Sequence, residues 1–240
     1  MLVCLFPYYT GEHKERNISR YAMVTDYHMI AGEYLNRFCK ALQEVFPQNQ
    51  FEPFIAFYAE IVSLLFVRVN ICAAIFTGLC RRGKNGLILH PKYGSYVFIG
   101  EVVTDLVLQP DHPLNPGECI GCGKCQKVCP QGALQSDGSV CLERCRSHIT
   151  QKKGELTDWE IGQIQDGGLI WGCDICNDVC PMNQEAKVLT PVPEFLESAV
   201  AVLDAQIAER LLKTRAYNYR GKKTILRNIQ LLEGANEDDR

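Results

Sequence analysis

The chain has 240 residues, 47% of them hydrophobic and 22% charged, with a formal net charge of −3. That length buries a substantial core and suits one or two domains. The composition is that of a globular protein, and the slightly acidic balance excludes a global electrostatic attraction to nucleic acid. Thirteen cysteines stand out. The N-terminus shows no signal-peptide pattern, its apolar start breaking at Pro7. The clustered cysteine spacing therefore indicates metal binding in a reducing cytoplasm rather than disulfides.

Leu2 to Tyr9 reads as a buried strand that begins abruptly, so a further N-terminal portion is expected to precede it. From Met29 to Phe46, apolar residues recur at Ile30, Tyr34, Phe38, Leu42 and Val45, the spacing of an amphipathic helix. Phe51–Tyr58 and Ile61–Val67 are aromatic and β-branched, and periodicity does not separate strand from helix there. A helix is expected from Val69 to Phe76, ending at Gly78. Pro53–Cys80 is very apolar, but Glu60, Arg68 and Asn70 interrupt it. Its uncharged runs fall short of the roughly 20 residues that span a bilayer, so the stretch is expected in a core and no membrane is expected. After Arg82-Gly83-Lys84-Asn85-Gly86, two strands on either side of the Pro91–Ser95 turn suggest a hairpin. Pro110, Pro113 and Pro116 mark a linker. This divides the chain into an α+β domain over 1–110, a cysteine-rich ferredoxin-like domain over 111–190 and a helical tail over 191–240. Glu194–Leu212 and Lys222–Leu232 are the expected helices of that tail, and 233–240 is expected to fray.

The chemistry sits in two runs, Cys119-x2-Cys122-x2-Cys125-x3-Cys129-Pro130 and Cys173-x2-Cys176-x3-Cys180-Pro181. The first has the bacterial ferredoxin spacing; three close cysteines wrap one [4Fe–4S] cluster, and the fourth, followed by Pro, reaches the other. By that rule Cys119, Cys122, Cys125 and Cys180 hold cluster I. Cluster II takes Cys129, Cys173 and Cys176 and lacks a fourth thiolate, which has to come from Cys141 or Cys145. Structural zinc also uses Cys-x2-Cys pairs, but the triple spacing and the repeated Cys-Pro favour iron–sulfur. Cys4, Cys39, Cys72 and Cys80 lie in apolar segments and read as small core residues.

The flanks carry a resemblance. Arg20-Tyr-Ala-x3-Asp26-Tyr27-His28, Gly83-Lys84-Asn85-Gly86, Tyr93-Gly-Ser-Tyr-Val-Phe-Ile-Gly-Glu101-Val-Val-Thr-Asp105, Cys145-Arg-Ser-His-Ile-Thr-Gln-Lys-Lys-Gly154 and Trp171 to Pro181 resemble the epoxyqueuosine reductase family, especially its short members. The resemblance covers roughly residues 2 to 232. It implies an α+β corrinoid-binding domain, a double-cluster domain, two [4Fe–4S] clusters and cobalamin. The implied reaction is reduction of epoxyqueuosine to queuosine in the tRNA anticodon, with electrons from an external carrier such as a ferredoxin or flavodoxin. A cytoplasmic monomer is expected. The family's lone cysteine matches Cys145, which leaves Cys141 spare. Tyr27, His28, Lys84, Asn85, His90, Glu101 and Thr104 match segments that wrap the cofactor. Ser147, Cys173 and Asp174 match its junction with the clusters.

Two departures bear on function. The family carries a proton-donating Asp ahead of the Gly-Lys-Asn turn; here that stretch, Phe57 to Asn70, holds Glu60 as its only carboxylate. A Glu in an apolar setting has a raised pKa and can act as an acid, so Glu60 is the candidate catalytic residue. The family's N-terminal portion and C-terminal helical-repeat extension have no counterpart in the sequence. Lys213, Arg215, Arg220, Lys222, Lys223 and Arg227 form a basic stretch that suits tRNA phosphates or a solvated helix face. The competing readings are a non-catalytic ferredoxin-like carrier and a corrinoid reductase with another substrate.

Overall fold

The computed structural model describes residues 1–55, 73–109 and 119–238. It has the mixed α and β architecture expected. β1 (Leu2–Pro7), β5 (Val97–Thr104) and β2 (Phe51–Ile55) form an antiparallel sheet in the order β1-β5-β2. Phe6 faces Phe98 and Pro7 faces Val97 across the first pair, and Phe51 faces Thr104 across the second. Phe51–Ile55 is thus a strand, a point that periodicity left open. α1 (Tyr27–Val45) follows the predicted helix closely and is capped by Asp26, whose carboxylate accepts the His28 N–H at 3.0 Å. Its Ala31, Leu35 and Cys39 are buried against the sheet with Phe6, Tyr8, Phe98 and Val102.

The expected hairpin across Pro91–Ser95 does not form. β3 (Arg81–Arg82) and β4 (Ile88–Leu89) pair with each other instead. The hairpin turn is Gly83–Gly86, closed by Gly83 N–H to Leu87 O at 2.7 Å. Gly86 there has φ 81°, a conformation natural to glycine. His90 and Gly94 exchange two backbone bonds of 2.8 Å that lead the chain into β5. Residues 73–76 are helical and Gly78 follows at φ 73°, as expected for a helix end.

The cysteine-bearing part is built of short helices: α2 (Lys124–Val128), α3 (Arg146–Thr150), α4 (Asp158–Gly167), α5 (Ile175–Asp178) and α6 (Pro181–Gln184). α4 starts with a capping box between Thr157 and Glu160. The predicted helix Glu194–Leu212 is two helices, α7 (Pro193–Ser198) and α8 (Ala205–Leu211). The break has a cause upstream. Residues 200–203 bond to the N-terminal segment, Val200 N–H to Met23 O at 2.9 Å and Leu203 N–H to Asn17 Oδ1 at 2.9 Å, before Asp204 caps the next helix. α9 (Lys222–Asp238) runs through most of the stretch expected to fray.

Two cores draw on distant segments. One joins the sheet and α1 to Val192 and Phe195. The other packs Ile18, Ala22 and Met23 with Ile170 and Trp171 and with Leu203, Tyr217, Ile225 and Ile229. Burial against this second core explains why the tail folds as helices rather than trailing in solvent. The linker expected around 110–116 lies outside the described residues.

Candidate metal centre

The two ferredoxin-type runs fold onto each other where α2 meets α5. Burial raises the Cys125 thiol, and among the charges acting on it are those of Cys119, Cys180 and Cys122. These are the four residues assigned to cluster I. Burial pushes the Cys176 thiol up to about 12, with Cys173, Cys145, Asp174 and Cys125 as its charged neighbours. Cys145 also acts on Cys173, whereas Cys141 donates to the Glu143 carboxylate at 3.3 Å. Cys129 Sγ accepts the Ala133 N–H at 3.2 Å, the kind of backbone bond that orients and tunes a cluster thiolate. Among the described residues no three Cys, His, Asp or Glu side chains converge on a single-ion site. A cuboidal cluster asks instead for sulfurs spread around its faces.

A narrow crevice opens beside the first set, lined by Lys84, Asn85, Cys119, Cys122, Cys125 and Cys180 together with Leu89, Ile120 and Met182. It places the Gly83–Gly86 turn against Cys119, Cys122, Cys125 and Cys180. The turn is held by a buried polar relay. Asn183 Oδ1 accepts the Ser95 N–H at 2.8 Å, its Nδ2 donates to Ser95 Oγ at 2.8 Å and to Asn177 O at 3.0 Å, and Ser95 Oγ donates to Asn177 Oδ1 at 2.8 Å. Asn85 Nδ2 reaches the same Asn177 oxygen at 3.5 Å.

A second junction is ionic. Asp174, between Cys173 and Cys176, is fully buried and accepts from Arg16 Nη1 at 2.7 Å and from the Arg20 N–H at 2.8 Å. Asp178 takes Arg16 Nη2 at 2.7 Å and Arg20 Nε at 3.3 Å. Burial pushes the Asp174 carboxyl up, and Arg16 and the Arg20 N–H pull it back. The chain from Arg16 to Arg20 is thereby locked to the cluster loop, and Ile18 bridges Trp171 in parallel fashion beside it.

The other residues predicted around a cofactor do not converge on this cleft. Tyr27 stacks on Phe98 with ring centroids 4.3 Å apart, and His28 Nδ1 pairs with Asp26 at 2.8 Å. His90 Nδ1 accepts the Lys92 and Tyr93 N–H groups at 3.1 and 3.3 Å, and burial lowers its pKa. Glu101 is buried in the middle strand β5, which raises its carboxyl. Thr104 Oγ1 caps the strand end by accepting the Leu106 N–H at 3.0 Å. Ser147 Oγ accepts from Gln151 at 3.3 Å, and Asp174 is engaged by the arginines. Glu60, with Cys72, lies outside the described residues. The basic tail is largely committed to structure. Arg215 is buried and donates to Ser198 O at 2.6 Å. Arg227 holds Gly154 O at 2.6 Å and Lys152 O at 3.0 Å, and Lys222 pairs with Glu209 at 2.8 Å. Sequence reasoning missed Arg16, Ser95, Asn177, Asp178 and Asn183. The only local signal was that three of them lie within three residues of Cys176 or Cys180.

With this geometry established, comparisons with known proteins are decisive. The family described as "4Fe-4S double cluster binding domain" matches residues 118–183, and "Epoxyqueuosine reductase QueG, DUF1730" matches residues 1–55. An epoxyqueuosine reductase of Lactococcus garvieae is 30% identical over 237 residues, covering 95% of this chain and 64% of the relative. The chain belongs to the epoxyqueuosine reductase family. Among solved structures, an epoxyqueuosine reductase with an epoxyqueuosine-modified tRNA-Tyr stem loop superposes with a TM-score of 0.77 at 27% identity, over 97% of this chain and 63% of that one. A Bacillus subtilis family member, with its catalytic aspartate loop swung out of the active site, gives 0.75 at 26% identity over the same shares. The chain thus spans just under two thirds of the length of these relatives. As a family member it carries a double [4Fe–4S] cluster domain.

Proposed function

We propose that the protein reduces epoxyqueuosine to queuosine in tRNA, a reaction for which two [4Fe–4S] clusters would supply single electrons and a corrinoid the carbon–oxygen cleavage. The observation that carries this is the similarity to epoxyqueuosine reductases along 95% of the chain. Its cysteine sets are arranged as two electron-transfer centres in series. Cys119, Cys122, Cys125 and Cys180 hold the cluster nearer the Gly83–Gly86 turn, and Cys129, Cys145, Cys173 and Cys176 hold the other. Cys141 stays outside both. A one-electron carrier such as a ferredoxin or flavodoxin supplies the electrons.

The cleft chemistry fits a corrin edge. Leu89, Ile120 and Met182 offer apolar contact, and the exposed Lys84 offers an ammonium to a carboxamide or phosphate. When bound, the corrinoid supplies a metal centre that accepts single electrons and performs the two-electron carbon–oxygen cleavage. The residues of the chain do the rest. Lys84 and Asn85 would hold the group beside Cys119, Cys122, Cys125 and Cys180. The Asn183–Ser95–Asn177 relay and the Arg16–Asp174 pair keep the two halves of the site in register, and a short, fixed separation is what electron delivery needs. Removal of the epoxide oxygen as water consumes two electrons and two protons, and we assign Glu60 the role of proton donor in place of the family Asp.

The test is turnover. Anaerobically reconstituted protein, given cobalamin, a low-potential reductant and an epoxyqueuosine stem loop, yields queuosine by nucleoside mass spectrometry, and Glu60→Gln lowers the rate. Full corrinoid and cluster occupancy without product refutes the function. Undiminished turnover by Glu60→Gln refutes the donor assignment alone.

A further inference from the structure

Arg146 follows Cys145 directly and opens α3. Only 8% of the residue is exposed, yet among the described residues no carboxylate pairs with its guanidinium. Nη2 donates a long bond of 3.4 Å to Gln163 Oε1, and Nε–H meets no acceptor among the described residues. The same Gln163 oxygen accepts from Gln131 Nε2 at 2.5 Å. Gln131 lies two residues after Cys129, so the guanidinium shares an acceptor with the chain just past Cys129 while its own backbone adjoins Cys145. α4 makes room for the side chain at Gly167, where a Cβ would come within 2.7 Å of Arg146 Cδ.

A buried cation with no counter-ion and an unused N–H is strongly unfavourable unless an anion meets it. A cluster with four thiolates is such an anion, and its negative charge grows by one when it is reduced. Hydrogen bonds to the sulfurs and nearby charge are the protein's means of setting cluster potentials. Resting on the two-cluster reading above, we propose that Arg146 is the charge partner of the cluster held by Cys129, Cys145, Cys173 and Cys176. Its Nε–H donates to a sulfur of that cluster and raises the cluster's reduction potential above that of its neighbour. The external carrier loses one electron, the cluster gains it, and no bond is made or broken. Arg146 is a positioning residue for charge: it keeps the incoming electron on the entry cluster until the second cluster draws it on.

The experiment is an anaerobic redox titration of the full reconstituted chain, followed by electron paramagnetic resonance, with iron and sulfide content measured alongside. Wild type is expected to show two one-electron couples. Arg146→Met moves the higher couple downward by at least a tenfold change in its reduction equilibrium, about 59 mV for one electron, and leaves the lower couple in place. Arg146→Lys, which keeps the charge and loses Nε–H, falls between. Gly167→Ala, which crowds the guanidinium without touching a cysteine loop, moves the same couple in the same direction; it decides the matter if the Met variant does not load. A packing role for Arg146 alone would change thermal stability and leave both midpoints where they are, and that result overturns the inference. Fewer than two clusters in wild type overturns the two-cluster reading and the inference with it.

Discussion

Asn183→Ala removes the centre of the relay that joins the Tyr93–Tyr96 strand entry to the Cys173–Cys180 loop. Asn183 has no solvent exposure, so water does not replace the missing amide. The Ser95 N–H loses its acceptor at 2.8 Å and is orphaned in the interior, which costs about 1–3 kcal/mol. Asn177 O keeps the Cys180 N–H at 3.1 Å, and Ser95 Oγ keeps Asn177 Oδ1 at 2.8 Å, so those two groups give up one bond each without being stranded. At about 1 kcal/mol for each of those bonds, and allowing for partial relaxation, the total is roughly 2–4 kcal/mol. For a chain of this length that lowers Tm by roughly 5–15 °C. Asn183→Asp keeps the acceptor for Ser95 N–H but buries a charge, and is expected to be as unstable near neutral pH and to recover as the carboxylate protonates. Urea denaturation of the anaerobic holoprotein, read by tryptophan fluorescence and by cluster absorbance, measures both. A destabilisation below about 1 kcal/mol for Asn183→Ala, the value of one ordinary bond, would refute the claim that this relay holds the two parts together.

Three further outcomes follow from the same geometry. Burial raises the Glu101 carboxyl, so the folded protein binds that proton more tightly than the unfolded chain, and Glu101 costs stability as pH rises above about 4.5. Glu101→Gln is expected to be more stable than wild type at pH 7, with the gap closing toward pH 4.5; a gap independent of pH contradicts this. Burial lowers His90, whose Nδ1 accepts two backbone N–H groups. In an NMR titration it should protonate below the ordinary value of about 6.5, and stability should fall as pH drops through that value because only the unfolded chain takes up the proton there. A midpoint at or above 6.5 contradicts it. In stem-loop binding, Lys213→Gln with Lys223→Gln should reduce the salt slope by about one for each phosphate that is no longer neutralised, whereas Arg215→Gln should lower stability by about 1–3 kcal/mol through the orphaned Ser198 carbonyl. An unchanged slope removes the tail from the tRNA interface.

Local patterns were readable where local forces decide. The spacing of Ile30, Tyr34, Phe38 and Leu42 marked α1 because one helix face packs on one sheet, whereas its start at Tyr27, capped by Asp26, lies two residues ahead of the expected one. The cysteine runs were legible for a similar reason: cluster geometry dictates sequence spacing. The hairpin was misassigned because the Pro91–Ser95 stretch carries stronger turn residues than Gly83–Gly86, while strand pairing is settled by which neighbour shares a core. The break between α7 and α8 was hidden because residues 200–203 take their hydrogen bonds from Asn17 and Met23, near the other end of the chain. The Arg16–Asp174 pair and the Asn183–Ser95 relay span 158 and 88 residues. No periodicity encodes a partner at that distance, and each of these residues alone reads as an ordinary surface polar group. Arg146 was invisible for a different reason: its adjacency to Cys145 is plain in the sequence, but its burial and lack of a counter-ion are not.

The electron path depends on which cysteine outside the two runs completes the second cluster. Cys145→Ser and Cys141→Ser variants, reconstituted anaerobically and compared for iron, sulfide and integrated paramagnetic resonance intensity after reduction, test this directly. Cys145→Ser is expected to lose the signal of one cluster and keep the other, while Cys141→Ser retains both at wild-type intensity. Disappearance of a cluster in Cys141→Ser with both retained in Cys145→Ser would contradict the assignment and the electron path built on it.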